Sequence, residues 1–357
     1  MHVVSVRALV RSLLLASLFL LAGCLPYSCQ RNPNETLFPA DSVSRRVAET
    51  VPTDTLRPVG ASTGTDAHPL TYPRTVRFVD GAVAVSDAER NSLFRFGPDG
   101  TFRHEVTDAA FAVPYLIGHR ADTLVVFNAE ADRVDFVAGG RRLAGRAVSY
   151  DRPTRDALVY MLATDAHLYA KVVGPTVGAH VSRLDASGAV VARAPMDGPY
   201  WRRAGFLRAW SDSLVSLSGY RPVVHRLPPT FADGARADSL ALVGFDSPML
   251  ERSYAYAAGN ATKPPLLTAS AAAAGDRLFV LNLRPGWVQI DVYDRRGRLQ
   301  RRLVEAHSGG NRGFYPLDLD VRRAPDGYHF AVAVRSPTPR LELFRWRPSS
   351  SSGPAAE

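Results

Sequence analysis

Residues 286–306, GWVQIDVYDRRGRLQRRLVEA, decide the fold. Five arginines crowd into 293–302, YDRRGRLQRR, and taken alone that stretch suggests a polyanion site. Its surroundings say otherwise. Val288, Ile290 and Val292 alternate with Gln289, Asp291 and Tyr293, a polar turn ending in Gly297 follows, and Leu299, Leu303 and Val304 belong to a second apolar-bearing run. Period-two alternation sends successive side chains to opposite faces, so two such runs around a glycine-containing turn make a β-hairpin. The expectation is a turn with Arg295, Arg296 and Arg298 in solvent and with Arg301 and Arg302 on an outermost strand.

Working outward, the same hairpin pattern recurs at 92–106 (SLFRFGPDGTFRHEV), 133–148 (RVDFVAGGRRLAGRAV) and 180–196 (HVSRLDASGAVVARAPM). The turn glycines Gly100, Gly140, Gly188 and Gly297 are 40, 48 and 109 residues apart, which is a repeat of about 45 residues with one member less regular. Two further strand-like runs precede each hairpin, as TVRFVD and AVAVSD do the first. The fourth unit carries the insertion PPTFADGARA, and the sixth runs out of chain after three strands. Four strands to a unit, six units and no long helical pattern give an all-β fold, a six-bladed β-propeller of four-stranded antiparallel blades over 54–348. A lone four-stranded sheet cannot cover both faces, whereas sheets stacked around an axis cover each other. The Ala-rich run 269–274 suits an innermost strand. The missing strand of the sixth unit is expected from residues 54–61, DTLRPVGA, an N-terminal outer strand that closes the ring and tolerates Pro58 at a free edge.

The chain ends are of a different character. Residues 1–23 carry Arg7 and Arg11, a short apolar run and then Leu21-Ala22-Gly23 ahead of Cys24, the layout of a secretory signal. L-A-G-C resembles the lipobox of bacterial lipoproteins, which implies lipidation of Cys24 and a membrane as partner. Several acyl chains on one residue hold where a single chain does not. Leu25, where an Asp would imply inner-membrane retention, favours the outer membrane of a bacterial envelope. Residues 24–53 are expected to be a polar, Pro-punctuated tether, and 349–357, within SSSSGPAAE, a disordered tail.

Net charge is +9, yet every basic residue except Lys171 and Lys263 is arginine, a bias typical of genome composition rather than of nucleic-acid contacts. A monomer that does not bind nucleic acid is expected. With Cys24 lipidated, Cys29 has no partner for an internal disulfide. There is no H-E-x-x-H, G-x-x-x-x-G-K or paired-Cys motif, so no cofactor and no metal site is expected.

AVAVSDAERNSLFRFGPDGTF (82–102) looks like an NHL-type repeat, with Asp87, Asn91, Leu93, Asp99 and Gly100 on its pattern and Arg133 and Val134 at matching offsets in the next unit. The whole is similar to the six-bladed propeller lipoproteins of Bacteroidota-like bacteria. That resemblance implies that the connections from a blade's fourth strand to the next blade's first strand, together with those from second to third, form the binding face. There aromatics and arginines gather: Tyr72, Tyr115, Arg155, Tyr200, Trp201, Arg202, Arg312 and Tyr315. Both residue types give a ligand large contact area with directed polar groups. The functional expectation is a non-catalytic module binding an anionic or carbohydrate-like ligand or an envelope protein. The alternative is a lactonase-like hydrolase with a channel-centred metal, for which Asp87, Asn128, Asn282 and Asp318 are the available donors.

Overall fold

A computed structural model describes residues 42–150, 156–284, 286–306 and 313–348. Cys24, Arg155, Arg312, the signal segment and the tail lie outside the described residues. Within them strands dominate, and they fall into sets of four that follow the chain. The first set is β2 (Pro73–Val79), β3 (Ala82–Asp87), β4 (Ser92–Phe96) and β5 (Phe102–Thr107). The second is β6 (Pro114–Arg120), β7 (Thr123–Asn128), β8 (Arg133–Ala138) and β9 (Arg141–Ala147). Then come β10 (Leu158–Ala163) to β13 (Val190–Pro195) and β14 (Leu207–Trp210) to β17 (Asp238–Ala241), with β16 (Val223–Leu227) and β17 joined by the expected insertion. Each of these four sets is a separate antiparallel sheet.

The remaining strands form one sheet of eight, which departs from the expectation of separate four-stranded blades. β18 (Thr268–Ala274), β19 (Arg277–Asn282), β20 (Gln289–Tyr293) and β21 (Leu299–Glu305) make one half, and β22 (Tyr315–Ala324), β23 (Gly327–Ser336) and β24 (Arg340–Trp346) lie in the other. The join is β1 (Thr53–Ser62), whose first half pairs parallel with β21 and whose second half pairs antiparallel with β24. The closing strand is therefore where the sequence puts it, but it is not a simple edge. Pro58 sits in the half paired only with β24, opposite Phe344 and beside a register shift between Pro58 and Gly60, the kind of irregular, one-sided position where a sheet tolerates proline.

The first strands of successive sets touch in order, β2 to β6, β10, β14, β18 and β22, and β22 returns to β2. The result is a closed, propeller-like ring. The small side chains of β18 do occupy an innermost strand. An apolar cluster fills each seam between neighbouring sets: Val79, Leu93, Leu116 and Val126 in one, Phe78, Phe94, Ala331 and Leu343 in another, and Leu56, Phe279, Ile290, Leu319 and Phe330 in the seam that β1 caps. Burying each Val, Leu, Ile or Phe side chain among them stabilises by about 1.5–3 kcal/mol, and neither sheet alone could supply the other half of the contact. The opening hairpin is the β20–β21 turn. Gly297 has φ +73, and a Cβ there would lie 2.3 Å from the Ala241 carbonyl oxygen, so both conformation and space call for glycine.

Three expectations need correction. Arg295, Arg296 and Arg298 are exposed as foreseen, but β21 is covered by β1, and Arg302 is 11% exposed, 2.8 Å from Asp246 and 3.6 Å from Asp291. Alternation fixes which face a residue takes, not whether another strand covers that edge. Second, the stretch read as tether contains α1 (Ser42–Thr50), whose Val47 and Ala48 are buried and whose Ser44 Oγ accepts the Gly244 N–H at 2.7 Å. Nine residues give too short a periodic signal to stand out, and the helix is held by packing rather than propensity. Third, the connection after β17 holds α2 (Leu250–Ala257), which buries Leu250. Among the described residues no helix is long and apolar enough to cross a membrane.

Candidate binding site in the axial cavity

At the N-terminal ends of the innermost strands a cavity of about 200 Å³ opens among β2, β6, β10 and β14. This is the end at which fourth-to-first-strand connections arrive, as expected of the binding face. Its walls are Tyr115, Phe127, Tyr160 and Phe206, and three guanidinium groups face it, those of Arg74, Arg77 and Arg208. Among the described residues no carboxylate lines it.

Arg74 is bracketed by two tyrosines. Its Nε donates to Tyr115 Oη at 3.2 Å and its Nη1 to Tyr72 Oη at 3.3 Å, and its guanidinium lies 5.5 and 5.7 Å from the two ring centres. Arg335 covers the Tyr72 ring at 4.6 Å. Tyr160 meets Phe206 edge-on at 5.7 Å, and burial together with Tyr220 raises its phenol, against the pull of Arg74. These contacts fix the rings as rigid walls, since each buried ring has either a face-on cation or an edge-on neighbour.

Deeper in, Asp318 on β22 holds two of the arginines. Its Oδ2 accepts from Arg77 Nη1 at 2.7 Å and from the Val76 N–H at 3.1 Å, while its Oδ1 accepts from Arg208 Nη2 and Ser270 Oγ, both at 2.6 Å. Arg208 also donates to the Ala271 carbonyl at 2.7 Å and stacks on Phe206 at 4.5 Å. Burial opposes the charge on Asp318, but the two guanidiniums overcome it and hold the carboxyl below its ordinary value. Burial likewise pushes Arg208 down to about 10, against the attraction of Asp318, so it remains charged at neutral pH. Asp318 thus serves two arginines, the Asp320 carboxyl lies buried near both and is itself raised by burial, and with Arg74 the arginines still outnumber the carboxyls.

The sequence-derived candidates fall into two groups. Tyr115 lines the cavity, and Tyr72 touches it only through Arg74. Tyr200, Trp201 and Arg202 form a 3₁₀ turn, Tyr200–Arg203, where Trp201 packs edge-on against Tyr256 at 4.7 Å and Tyr220 at 6.3 Å and carries Arg202 over its ring at 5.2 Å. Tyr315 is linked to this group through Tyr220, whose phenol is raised by burial and then by Tyr315 and Tyr200. Arg74, Arg77, Tyr160, Phe206 and Arg208 were not among the candidates. The signal that finds them is an arginine breaking an apolar run at the head of an innermost strand, as in Val76-Arg77-Phe78 and Leu207-Arg208-Ala209.

The donors expected for a channel metal do not come together. Asp87 accepts the backbone N–H groups of Thr71 at 2.7 Å and Tyr72 at 2.9 Å and ties the preceding connection to β3. Asn128 and Asn282 donate to Asp135 at 2.6 Å and to Asp291 at 2.7 Å inside their own sheets. Only Asp318 faces the axis, and its two guanidinium partners would repel a divalent cation. These residues do not fit a metal, and among the described residues no group of three or more His, Cys, Asp or Glu could hold one. Residues 60–64, GASTG, carry the G-x-S-x-G spacing of a nucleophile elbow, but Ser62 ends β1 on the outer side with its Oγ accepting the Gly64 N–H at 3.3 Å and no helix following.

The ring defines a protein of the β-propeller class. No protein-family model matches the chain, and no curated protein sequence matches it. Solved structures do. Virginiamycin B lyase from Staphylococcus aureus superposes with a TM-score of 0.50 at 10% identity, over 80% of this chain and 98% of that one. The β-propeller domain of Cps50 (Swd1) from Myceliophteria thermophila gives 0.53 at 11% identity, over 82% of this chain and all of that one. Raptor from Chaetomium thermophilum gives 0.52 at 11% identity, over 83% of this chain and 30% of that one. Proteins of such different kinds share the fold and nothing that names a ligand.

Proposed function

We infer that this chain is a lipid-anchored protein of the bacterial envelope, on the outer membrane, whose propeller binds an organic anion with a flat apolar body without transforming it. We read the eight-stranded sheet as two blades clasped by β1, so the ring counts six blades of NHL-like kind. The observation that carries the binding assignment is the set Arg74, Arg77 and Arg208 at an aromatic-walled cavity, with Asp318 shared by two of them and Asp320 buried behind. Guanidinium forks suit a carboxylate or sulfonate, and Tyr115, Tyr160 and Phe206 suit the body attached to it. A cavity of about 200 Å³ takes one or two rings. Anchoring rests on Arg7, Arg11 and L-A-G-C at 21–24.

Titrating the purified protein with benzoate and 1-naphthoate, calorimetrically, tests the binding reading. Both should bind, and Arg74→Gln should weaken them roughly tenfold or more, the loss of a charged hydrogen-bond donor. Equal affinity for the neutral 1-naphthalenemethanol, or no effect of Arg74→Gln, would refute it. For the anchor, Cys24→Ala is expected to move the protein from the membrane pellet to the soluble fraction; retention in the pellet would count against lipidation.

A further inference from the structure

A second cavity, of about 210 Å³, lies beside the 3₁₀ turn and shares no lining residue with the axial one. Arg202, Arg203 and Arg221 line it, with Ser218, His225 and Ser239, and among the described residues no acidic one lines it. The carboxylate that acts on Arg203 is that of Asp197, which is 75% exposed and stands 3.9 Å from Arg236. What holds Arg203 is instead the Asp197 backbone carbonyl, which accepts from Nε at 2.9 Å and also from Nη2, while Nη1 lies against the His225 ring in contact with both of its nitrogens, and His225 Nδ1 is 3.0 Å from Ser239 Oγ. Arg202 Nε is buried with no acceptor among the described residues.

Two further basic groups lie underneath and beside it, and the guanidiniums act on both. Lys171 is completely buried, and its Nζ donates to the Gly205 and Leu217 carbonyls at 2.6 and 3.1 Å. Burial and then Arg203 push its ammonium well down, and burial, Arg203, Lys171 and Arg221 together push His225 down to about 3. Arg203 itself is lowered by burial, by Arg221 and by Arg202. Cations gathered this closely destabilise one another unless a counter-charge joins them.

We propose that this cavity binds a tetrahedral oxyanion, phosphate or sulfate, free or as the terminal group of a larger molecule. Three guanidiniums from two loops surround it, and the hydroxyls of Ser218 and Ser239 supply further donors. Neutral His225 keeps Arg203 in place without contributing a competing negative charge. The site is independent of the axial one and stands or falls separately.

The test is calorimetric titration of the full chain, in low-chloride buffer, with inorganic phosphate, inorganic sulfate and phenyl phosphate. Phosphate and sulfate should bind, and Arg221→Gln, an exposed position that threatens no packing, should weaken both roughly tenfold or more. Arg141→Gln, which removes the same charge from exposed β9, should leave affinity unchanged. Phenyl phosphate binding at least as well as phosphate assigns the terminal group of a larger molecule; phosphate binding while phenyl phosphate fails assigns the free ion. No binding of either inorganic anion, or equal losses in Arg221→Gln and Arg141→Gln, overturns the proposal.

Discussion

Replacing Asp318 with alanine is expected to cost about 3–5 kcal/mol of folding stability, because it strands two buried guanidiniums without their shared acceptor. Arg77 and Arg208 are each 7% exposed, and neither has another carboxylate within ion-pair distance. The loss has a direction in pH. The folded carboxyl titrates below its ordinary value of 3.8, so its contribution is fully present above that value and fades as acid protonates the folded form. Equilibrium denaturation of the wild type and the variant at neutral pH measures the difference. A cost below about 1 kcal/mol, the range of solvated pairs, would mean the triad is wet and loosely held. The double replacement of Arg208 and Asp318 by Met and Asn, which keeps Arg77 beside the buried Asp320 carboxyl and leaves it a neutral acceptor, should recover part of the loss, since it leaves one buried guanidinium instead of two without the shared carboxylate.

Leu56→Ala is expected to cost about 2–5 kcal/mol, the range for truncating a buried leucine whose surroundings cannot collapse. Leu56 is fully buried in the seam with Phe279, Ile290, Leu303 and Phe330, and its strand joins two halves that otherwise lack a partner edge. Differential hydrogen exchange of β21 and β24 checks the mechanism: both should lose protection along with stability. Protection lost in one and kept in the other would mean that β1 closes only one of its two seams.

The contrast between what the sequence foretold and what it concealed is physical. Hairpins were legible because period-two alternation and turn glycines are local, and the closing strand was legible because one unit lacked its fourth member. The pairing of β1 with β21 was concealed, since no local pattern records which edge a strand meets second. That is why Arg302 was expected on an outermost strand and proved to be part of a buried charge cluster with Asp246, Asp291 and Arg284. Tyr72 and Tyr115 were picked as candidates by residue type and by their place next to proline, and the structure puts both against Arg74. Arg74, Arg77 and Arg208 were passed over because arginine is so abundant in this chain that its appearance inside an apolar run carried little contrast. Asp87, Asn128 and Asn282 were weighed as metal donors because type and register alone cannot separate a ligand from a residue that ties down a neighbouring loop.

The double pairing of β1 also has a mechanical side. Force applied to the chain ahead of Ser42 reaches the ring first through α1 and then along β1, so it pulls the strand lengthwise against ladders on both of its sides. Lengthwise pulling loads many hydrogen bonds at once, whereas peeling breaks them one by one. Trp346 Nε1, bonded to Asp54 at 2.9 Å, adds a side-chain rivet at the loaded end. A protein hung from one end in this way would hold its ring shut under tension, with the point of attachment and the point of closure made from the same ten residues.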